Sequence, residues 1–238
     1  MSGPPAGWAF DTVLVSNRGE IARRVIRTAR RLGLRTVAVY STADIAAPHV
    51  READEAVLIG KSRPQDSYLN GSGILSAAKF SGAGAIHPGY GFLSENAHFA
   101  RQVEDTGIAF VGPTPAHLEA FGAKHTARGL ARAVGVPMMA GTGLLASAEQ
   151  AVTEASRIGF PVMVKATGGG GGIGMLACHN AGEVADAFAR VQRLAAANFA
   201  AEGVFLERLV RQARHVEVQV FGDGTGQVVV LGDRKSVV

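Results

Sequence analysis

A lysine followed at once by a run of glycines is the feature of this chain most able to do chemistry. Lys165 ends the apolar segment 162–165, and residues 166–174 read Ala-Thr-Gly-Gly-Gly-Gly-Gly-Ile-Gly. Because glycine lacks a Cβ, several consecutive backbone N–H groups can turn toward one anion. The ammonium of Lys165 can reach the same anion, so the sequence predicts a loop that binds nucleotide phosphates.

Three phosphate-binding designs compete for this loop, and a flexible linker is the plainer alternative. A P-loop places its lysine after the glycines, whereas Lys165 precedes them. A dinucleotide-binding loop leads directly into a helix, whereas residues 175–178 have the character of another strand and helical spacing starts at Ala181. The loop therefore joins strand to strand, which is typical of an ATP-grasp lid. Flexible linkers mix serine with glycine and lack apolar strands on both sides.

Strand and helix patterns alternate before this loop. A strand at 12–16 is followed by a helix that ends at Gly33 and by a strand at 36–40. This βαβ opening predicts a parallel, Rossmann-like sheet with right-handed crossovers. Further strands are predicted at 55–59, 85–86 and 108–111, and helices at 71–80 and 96–106.

The regular alternation of strand and helix patterns ends at residues 112–115, which read Gly-Pro-Thr-Pro. Helices are predicted beyond them at 116–135, 148–158 and 181–194, and strands at 162–165, 175–178, 205–210 and 215–220. The strand at 205–210 could border an adenine through its backbone, or be an ordinary strand. In the next strand His215, Glu217 and Gln219 share a face, which could line a nucleotide site or face water.

Residues 85–96 form a second candidate ligand loop. They combine a strand end, two turn glycines and a helix start for which Ser94 is the predicted cap. Loops at the carboxyl ends of parallel strands bind ligands in open α/β sheets. A tight strand-to-helix turn is an equally good interpretation.

Composition limits the function classes. The chain has 238 residues, 47% of them hydrophobic and 18% charged, with 24 Lys plus Arg against 20 acids and 6% aromatics. The basic excess is small and lacks interleaved aromatics, so nucleic-acid binding is not predicted. No run approaches the roughly 20 apolar residues of a membrane span. Cys178 is the single cysteine, which fits a reducing cytoplasm.

Taken together, these segments resemble biotin carboxylase, the ATP-grasp component of biotin-dependent carboxylases. The matching segments are 16–22, 85–96, 110–113, 165–175 and 214–220, in order along almost the whole chain. Segments 121–128 and 141–145, with Ile173 in the glycine run, resemble the urea carboxylase branch of urea amidolyase. The acyl-CoA carboxylase branches, which stay as the alternative, usually carry Arg at the position of Ile173.

The resemblance implies an α/β fold with a Rossmann-like, parallel-sheet N-terminal domain followed by a truncated ATP-grasp domain. The expected boundaries are a disordered N-terminus at 1–10, the N-terminal domain at 11–121, and the first part of the ATP-grasp domain at 122–238, with a lid subdomain at 139–209. It also implies the reaction, in which ATP and bicarbonate form carboxyphosphate and the resulting CO2 carboxylates N1′ of biotin.

Site residues are carried over by position. The resemblance implies that Lys124 and Lys165 hold the ATP phosphates and that backbone N–H groups of Gly171 and Gly172 cap these phosphates. It also implies that His215 contacts the nucleotide. The residues that it implies border adenine are Glu207, Arg208, Leu209 and Val210. ATP, Mg2+ and bicarbonate are implied, with biotin on a carboxyl carrier domain. A carboxyltransferase domain, in the same or a separate chain, and a homodimer are the further partners expected.

The resemblance implies that the Mg2+ carboxylates, the bicarbonate-binding side chains and the catalytic base lie beyond residue 238. In one frame, part of a common sequencing adaptor encodes residues 233–238, so we expect these residues to be adaptor read-through on a truncated gene. A fragment that lacks the distal catalytic residues is expected to be inactive alone. Another ATP-grasp carboxylate–amine ligase would share the lid but not segments 18–20 and 87–96. A non-catalytic nucleotide-binding module is the remaining alternative.

Overall fold

A computed structural model describes residues 9–167, 174–198 and 203–235. The chain divides into two compact units, Met1–Leu130 and Ala131–Val238. The disorder predicted for residues 1–10 falls mostly on residues 1–8, which lie outside the described residues, as do Gly171 and Gly172.

The first unit contains a five-stranded parallel sheet of order β3-β2-β1-β4-β5. Its strands are β1 (Thr12–Val15), β2 (Arg35–Ser41), β3 (Glu55–Gly60), β4 (Ala85–His87) and β5 (Ala109–Phe110). This order confirms the predicted Rossmann-like sheet. The strands after β1 are added first on one side (β2, β3) and then on the other (β4, β5). Open α/β sheets place a ligand crevice at such a reversal of strand order, here between β1 and β4.

The central strand β1 is buried on both faces, because helices cover both sides of this sheet. Leu14 belongs to one apolar cluster, and its neighbours Val13 and Val15 belong to others, as the alternation of a strand requires. The helices are α1 (Gly19–Arg31), α2 (Pro48–Glu52), α3 (Gly71–Ser81), α4 (Ala97–Asp105) and α5 (Pro115–Gly122). The predicted cap of α4 is wrong, because Asn96 rather than Ser94 accepts the bond from the Phe99 N–H, at 2.8 Å.

The single helix predicted at 116–135 is also wrong. The structure has α5 and then α6 (Lys124–Ala133), separated by Ala123 with φ −97° and ψ 122°. Gly122 lies at the break, and glycine disfavours a helix interior. Lys124 is therefore the first residue of a helix.

The second unit is built on an antiparallel sheet of order β7-β6-β8. Its elements are α7 (Ala148–Ile158), β6 (Val162–Ala166), β7 (Met175–Cys178), α8 (Ala181–Asn198) and β8 (Val204–Arg208). The strand-to-strand connection around the glycine run is confirmed, since β6 pairs antiparallel with β7 and Lys165 lies opposite Met175. Buried residues of α7 and α8 pack on one face of this sheet.

A hairpin of β9 (Val216–Gly222) and β10 (Val228–Lys235) follows. The strand predicted at 205–210 is shorter, so Leu209 and Val210 lie after β8, and His215 lies just before β9. Among the described residues, no helix is both long enough and apolar enough to span a membrane.

Candidate functional site

The alternation of β6 places the predicted phosphate-binding lysine. Val162, Val164 and Ala166 are buried against the helices of the second unit. Successive side chains of a strand point to opposite faces, so Met163 and Lys165 project from the other face. Lys165 therefore lies on the face opposite the one that packs against α7 and α8, three residues before Gly168.

The Lys165 ammonium is paired on this face. Its Nζ donates to Oε2 of Glu207, and the two side chains are 23% and 17% exposed. In the β6–β8 register Met163 lies opposite Glu207 and Lys165 lies opposite Phe205, so the charged residues are diagonal neighbours on one face. Half-buried charges are tolerated when they are paired, which explains why both sit here.

The Arg208 side chain points away from Lys165. Its Nη1 donates to the carbonyl of Ile158, the last residue of α7, at 2.9 Å. A cation at a helix C-terminus satisfies a free carbonyl and interacts favourably with the helix dipole. Arg208 thus uses its side chain to hold the end of α7.

The backbone around β8 is held on both edges, by the 140–145 segment on one side and by Pro161, just before β6, on the other. Arg208 N–H donates to Ala140 O at 2.8 Å, and Leu209 N–H donates to Pro161 O at 3.0 Å. Thr142 N–H donates to Leu206 O at 2.9 Å, and Thr142 Oγ1 accepts from the Leu206 N–H at 3.0 Å. The sequence did not predict this structural role of Thr142. The only signal at this position was the resemblance of segment 141–145 to the urea carboxylase branch.

A cavity of about 450 Å³ lies beside the 141–145 segment. It is lined by Arg132, residues 141–145, Gln150, Glu154 and Arg157. Glu154 and Arg157 form an ion pair at 2.7 Å. None of the predicted site residues lines this cavity.

The structure thus brings Lys165 and Glu207 into contact, with Arg208, Leu209 and Val210 directly following in the chain. Lys124 is partly buried at the start of α6 and belongs to the first unit. His215 is exposed, with its Nε2 at 3.3 Å from Oε1 of Glu217.

Asn17 ties together the loops that follow β1 and β4. Its Nδ2 donates to Pro88 O at 2.8 Å and to Tyr90 O at 2.7 Å. Gly89 has φ +66°, and a Cβ there would lie 2.9 Å from Asn17 Nδ2. Two segments that the resemblance singled out, 16–22 and 85–96, are therefore one connected structure.

A buried carboxylate ties the loop after β1 to the loop after β2. Asp44 accepts from Arg18 Nη2 at 2.6 Å, from Ser41 Oγ at 2.8 Å and from Tyr68 Oη at 2.8 Å. The Arg18 hydrogen bond is the main cause that lowers the pKa of Asp44 to about 2. Burial, reinforced by the bond to Asp44, raises the pKa of Tyr68 to about 12.

His87, at the end of β4, is a hydrogen-bond acceptor. Its Nδ1 accepts from the Gly89 N–H at 3.0 Å. Burial lowers the pKa of His87, so the ring is neutral at pH 7. Its contact shapes the turn that follows β4.

Residues 9–167, 174–198 and 203–235 contain no group of three or more His, Cys, Asp or Glu side chains that could hold a metal ion. We assign no Mg2+ ligand to these residues.

Two families of known domains match the chain. Residues 9–118 match the biotin carboxylase N-terminal domain. Residues 123–238 match the ATP-binding domain of the carbamoyl-phosphate synthase L chain.

Similar proteins include carboxylases of different kinds. A putative urea carboxylase of Emericella nidulans is 51% identical over 95% of this chain and 18% of its own length. A biotin carboxylase of Halalkalibacterium halodurans is 50% identical over 94% of this chain and 50% of its own length. The chain therefore spans half or less of these relatives.

A solved structure gives the same fold. It is the biotin carboxylase domain dimer of Hydrogenobacter thermophilus 2-oxoglutarate carboxylase in complex with MgADP, ADP and bicarbonate. The TM-score is 0.91 at 44% identity, over 95% of this chain and 50% of that one.

Proposed function

This chain belongs to the biotin carboxylase family, and we propose that it supplies the nucleotide-binding part of an ATP-dependent biotin carboxylase. A bicarbonate oxygen would attack the γ-phosphorus of ATP, the bond to the β–γ bridging oxygen would break, and ADP would leave. The carboxyphosphate would then break down to CO2 and inorganic phosphate. N1′ of biotin, which is held on a carrier domain, would lose its proton to that phosphate and form the new bond to the carbon of CO2. Mg2+ would neutralise phosphate charge when bound.

The proposed roles within this chain concern binding and orientation. Lys124 and Lys165 would hold phosphates, with Gly171 and Gly172 capping them through backbone N–H groups. The backbone of residues 207–210 would border adenine and His215 would contact the nucleotide. Phosphoryl transfer depends mainly on positioning and charge neutralisation, which are the contributions that lysines and backbone N–H groups make. The proposed domains are those expected above, 11–121 and 122–238.

The position of Lys165 is the observation that carries this proposal. Its ammonium lies on the face of the second unit's sheet opposite α7 and α8, one residue before the end of β6 and three residues before Gly168. The run is bounded by two paired strands, so the glycines and the Lys165 ammonium belong to one β-hairpin. The lysine precedes the glycines and a strand follows them, which is the order of neither a P-loop nor a dinucleotide-binding loop.

Calorimetric titration of ATP into the chain tests the proposal. We expect Lys165→Met to weaken ATP binding by at least about tenfold, because charge-assisted hydrogen bonds contribute more than neutral ones. Lys79→Met, at an exposed position on α3, is the matched control and should leave binding unchanged. Equal affinity of wild type and Lys165→Met would overturn the proposal.

We propose urea as the final carboxyl acceptor, with an acyl-CoA as the alternative. The support is sequence segments 121–128 and 141–145 and Ile173, which lies outside the described residues. Relatives named for urea carboxylase and biotin carboxylase are 51% and 50% identical, so identity alone does not favour either acceptor. Urea-dependent release of ADP by the protein that carries this chain is expected, and acyl-CoA-dependent release instead would refute it.

The proposed partners are a biotin carboxyl carrier domain, a carboxyltransferase domain and a second copy of the chain. The 2-oxoglutarate carboxylase domain named above is a dimer, which supports the last of these. Light scattering of the purified protein at several concentrations tests it, and a monomer throughout would count against a dimer. A cytoplasmic location remains part of the proposal.

A further inference from the structure

We propose that Glu207 is a positioning residue, whose carboxylate orients the Lys165 ammonium for a nucleotide phosphate. This inference rests on the proposed function and deepens it. The sequence placed Glu207 only at the border of the adenine. In the structure its carboxylate instead accepts from Lys165 Nζ, so its action on the nucleotide would pass through that lysine.

The carboxylate sits on a fixed support. Leu206, just before it, is fully buried and is bonded to Thr142 through both backbone groups. Arg208, just after it, is bonded through its backbone to Ala140 and through its side chain to Ile158. The backbone on either side of Glu207 therefore cannot shift without breaking these bonds, which gives the carboxylate a defined position.

Lysine needs such a support because its side chain is flexible. A lysine side chain loses more rotamer freedom on ordering than most others. The Glu207 bond orders Lys165 before the nucleotide arrives, so that loss does not oppose binding. An ammonium has three N–H donors, and the bond to Glu207 leaves donors for a phosphate.

The geometry also separates this role from a direct contact with the base. Lys165 adjoins the glycine run, whereas Glu207 lies opposite Met163, further from the β6 end. A role through Lys165 depends on the ligand's phosphates. A direct contact of the carboxylate with adenine does not, so adenosine and ATP distinguish the two roles.

Calorimetry with ATP and with adenosine is the test, using Glu207→Gln, Lys165→Met and the double variant. We expect Glu207→Gln to weaken ATP binding by about tenfold, from the cost of ordering a long side chain, and to leave adenosine binding unchanged. In the Lys165→Met background the same change should have no further effect on ATP, because interacting residues are non-additive. Glu154→Gln, which removes the acid of an exposed pair in the same unit, is the control.

Each other outcome decides against the inference. Equal weakening for ATP and adenosine would mean direct base contact, and tighter ATP binding by Glu207→Gln would mean that the carboxylate competes with phosphate. Additive effects in the double variant, or an unchanged affinity, would also overturn it. If wild type bound adenosine but ATP no better, the proposed function would fail as well. Far-ultraviolet circular dichroism on each variant separates misfolding from lost binding. The double variant replaces both charged side chains by neutral ones, so it leaves no unpaired charge in the sheet.

Discussion

At the scale of single residues, Asp44 is a buried carboxylate whose protonation should affect the stability of the fold. It is 7% exposed and bonded to Arg18, Ser41 and Tyr68. Its pKa falls from 3.8 to about 2, chiefly through Arg18. A carboxyl whose pKa is lower in the folded state stabilises the fold at pH values above its unfolded-state pKa. That stabilisation is lost as the pH falls through the folded-state pKa.

We therefore expect Asp44→Asn to reduce the free energy of unfolding of the first unit by about 2 kcal/mol at pH 7. The difference between the variant and wild type should shrink as the pH falls from 4 toward 2. Urea denaturation at several pH values measures this. Asp66→Asn, at an exposed position, is the control, and a pH-independent difference would contradict the assignment.

The predictable part of the site is set by local pattern. Alternation and the glycine run locate Lys165 from sequence alone, because a strand's faces follow from its own residues. Its partner Glu207 lies 42 residues away, and the diagonal contact depends on the register between β6 and β8. Because register depends on the packing of both strands, the sequence identified Glu207 as a site residue but did not predict that it pairs with Lys165.

At the scale of elements, Arg208 links the end of α7 to the end of β8. Its side chain caps Ile158, and its backbone N–H bonds to Ala140. We expect Arg208→Met to lower the free energy of unfolding of the second unit by about 1 kcal/mol, through loss of the cap and of the dipole interaction. ATP affinity should change little, because the backbone remains.

Denaturant titration and calorimetry together check this prediction. Arg157→Met, which breaks only an exposed pair within α7, is the matched control and should be nearly neutral. A large loss of ATP affinity in a stable Arg208→Met variant would show that the side chain itself reads the nucleotide.

Each element that sequence reasoning missed has a physical cause of its own. The strands of the first sheet were predictable because buried parallel strands are continuous apolar runs. The helix α2 has five residues, too few for a periodic pattern. The break between α5 and α6 rests on Gly122 and on the turn at Ala123, and one glycine does not end every helix. The strand β10 forms by pairing with β9 across a register shift.

At the scale of the whole molecule, each unit has an apolar core of its own. One large cluster draws on residues from Leu14 to Leu118, within Met1–Leu130. Another draws on residues from Leu145 to Leu206, within Ala131–Val238. Because burial of apolar surface drives folding cooperatively within one core, two cores predict two unfolding transitions.

Differential scanning calorimetry with one variant per core tests this. Val191→Ala removes fully buried methyl groups from the second core, and we expect a loss of about 2 kcal/mol. The transition of the second unit should then fall by about 4–8 °C for each kcal/mol, the scale for a unit of roughly 100 residues. Asp44→Asn should lower the other transition instead. A single transition that both variants lower equally would mean that the chain unfolds as one unit, despite its two cores.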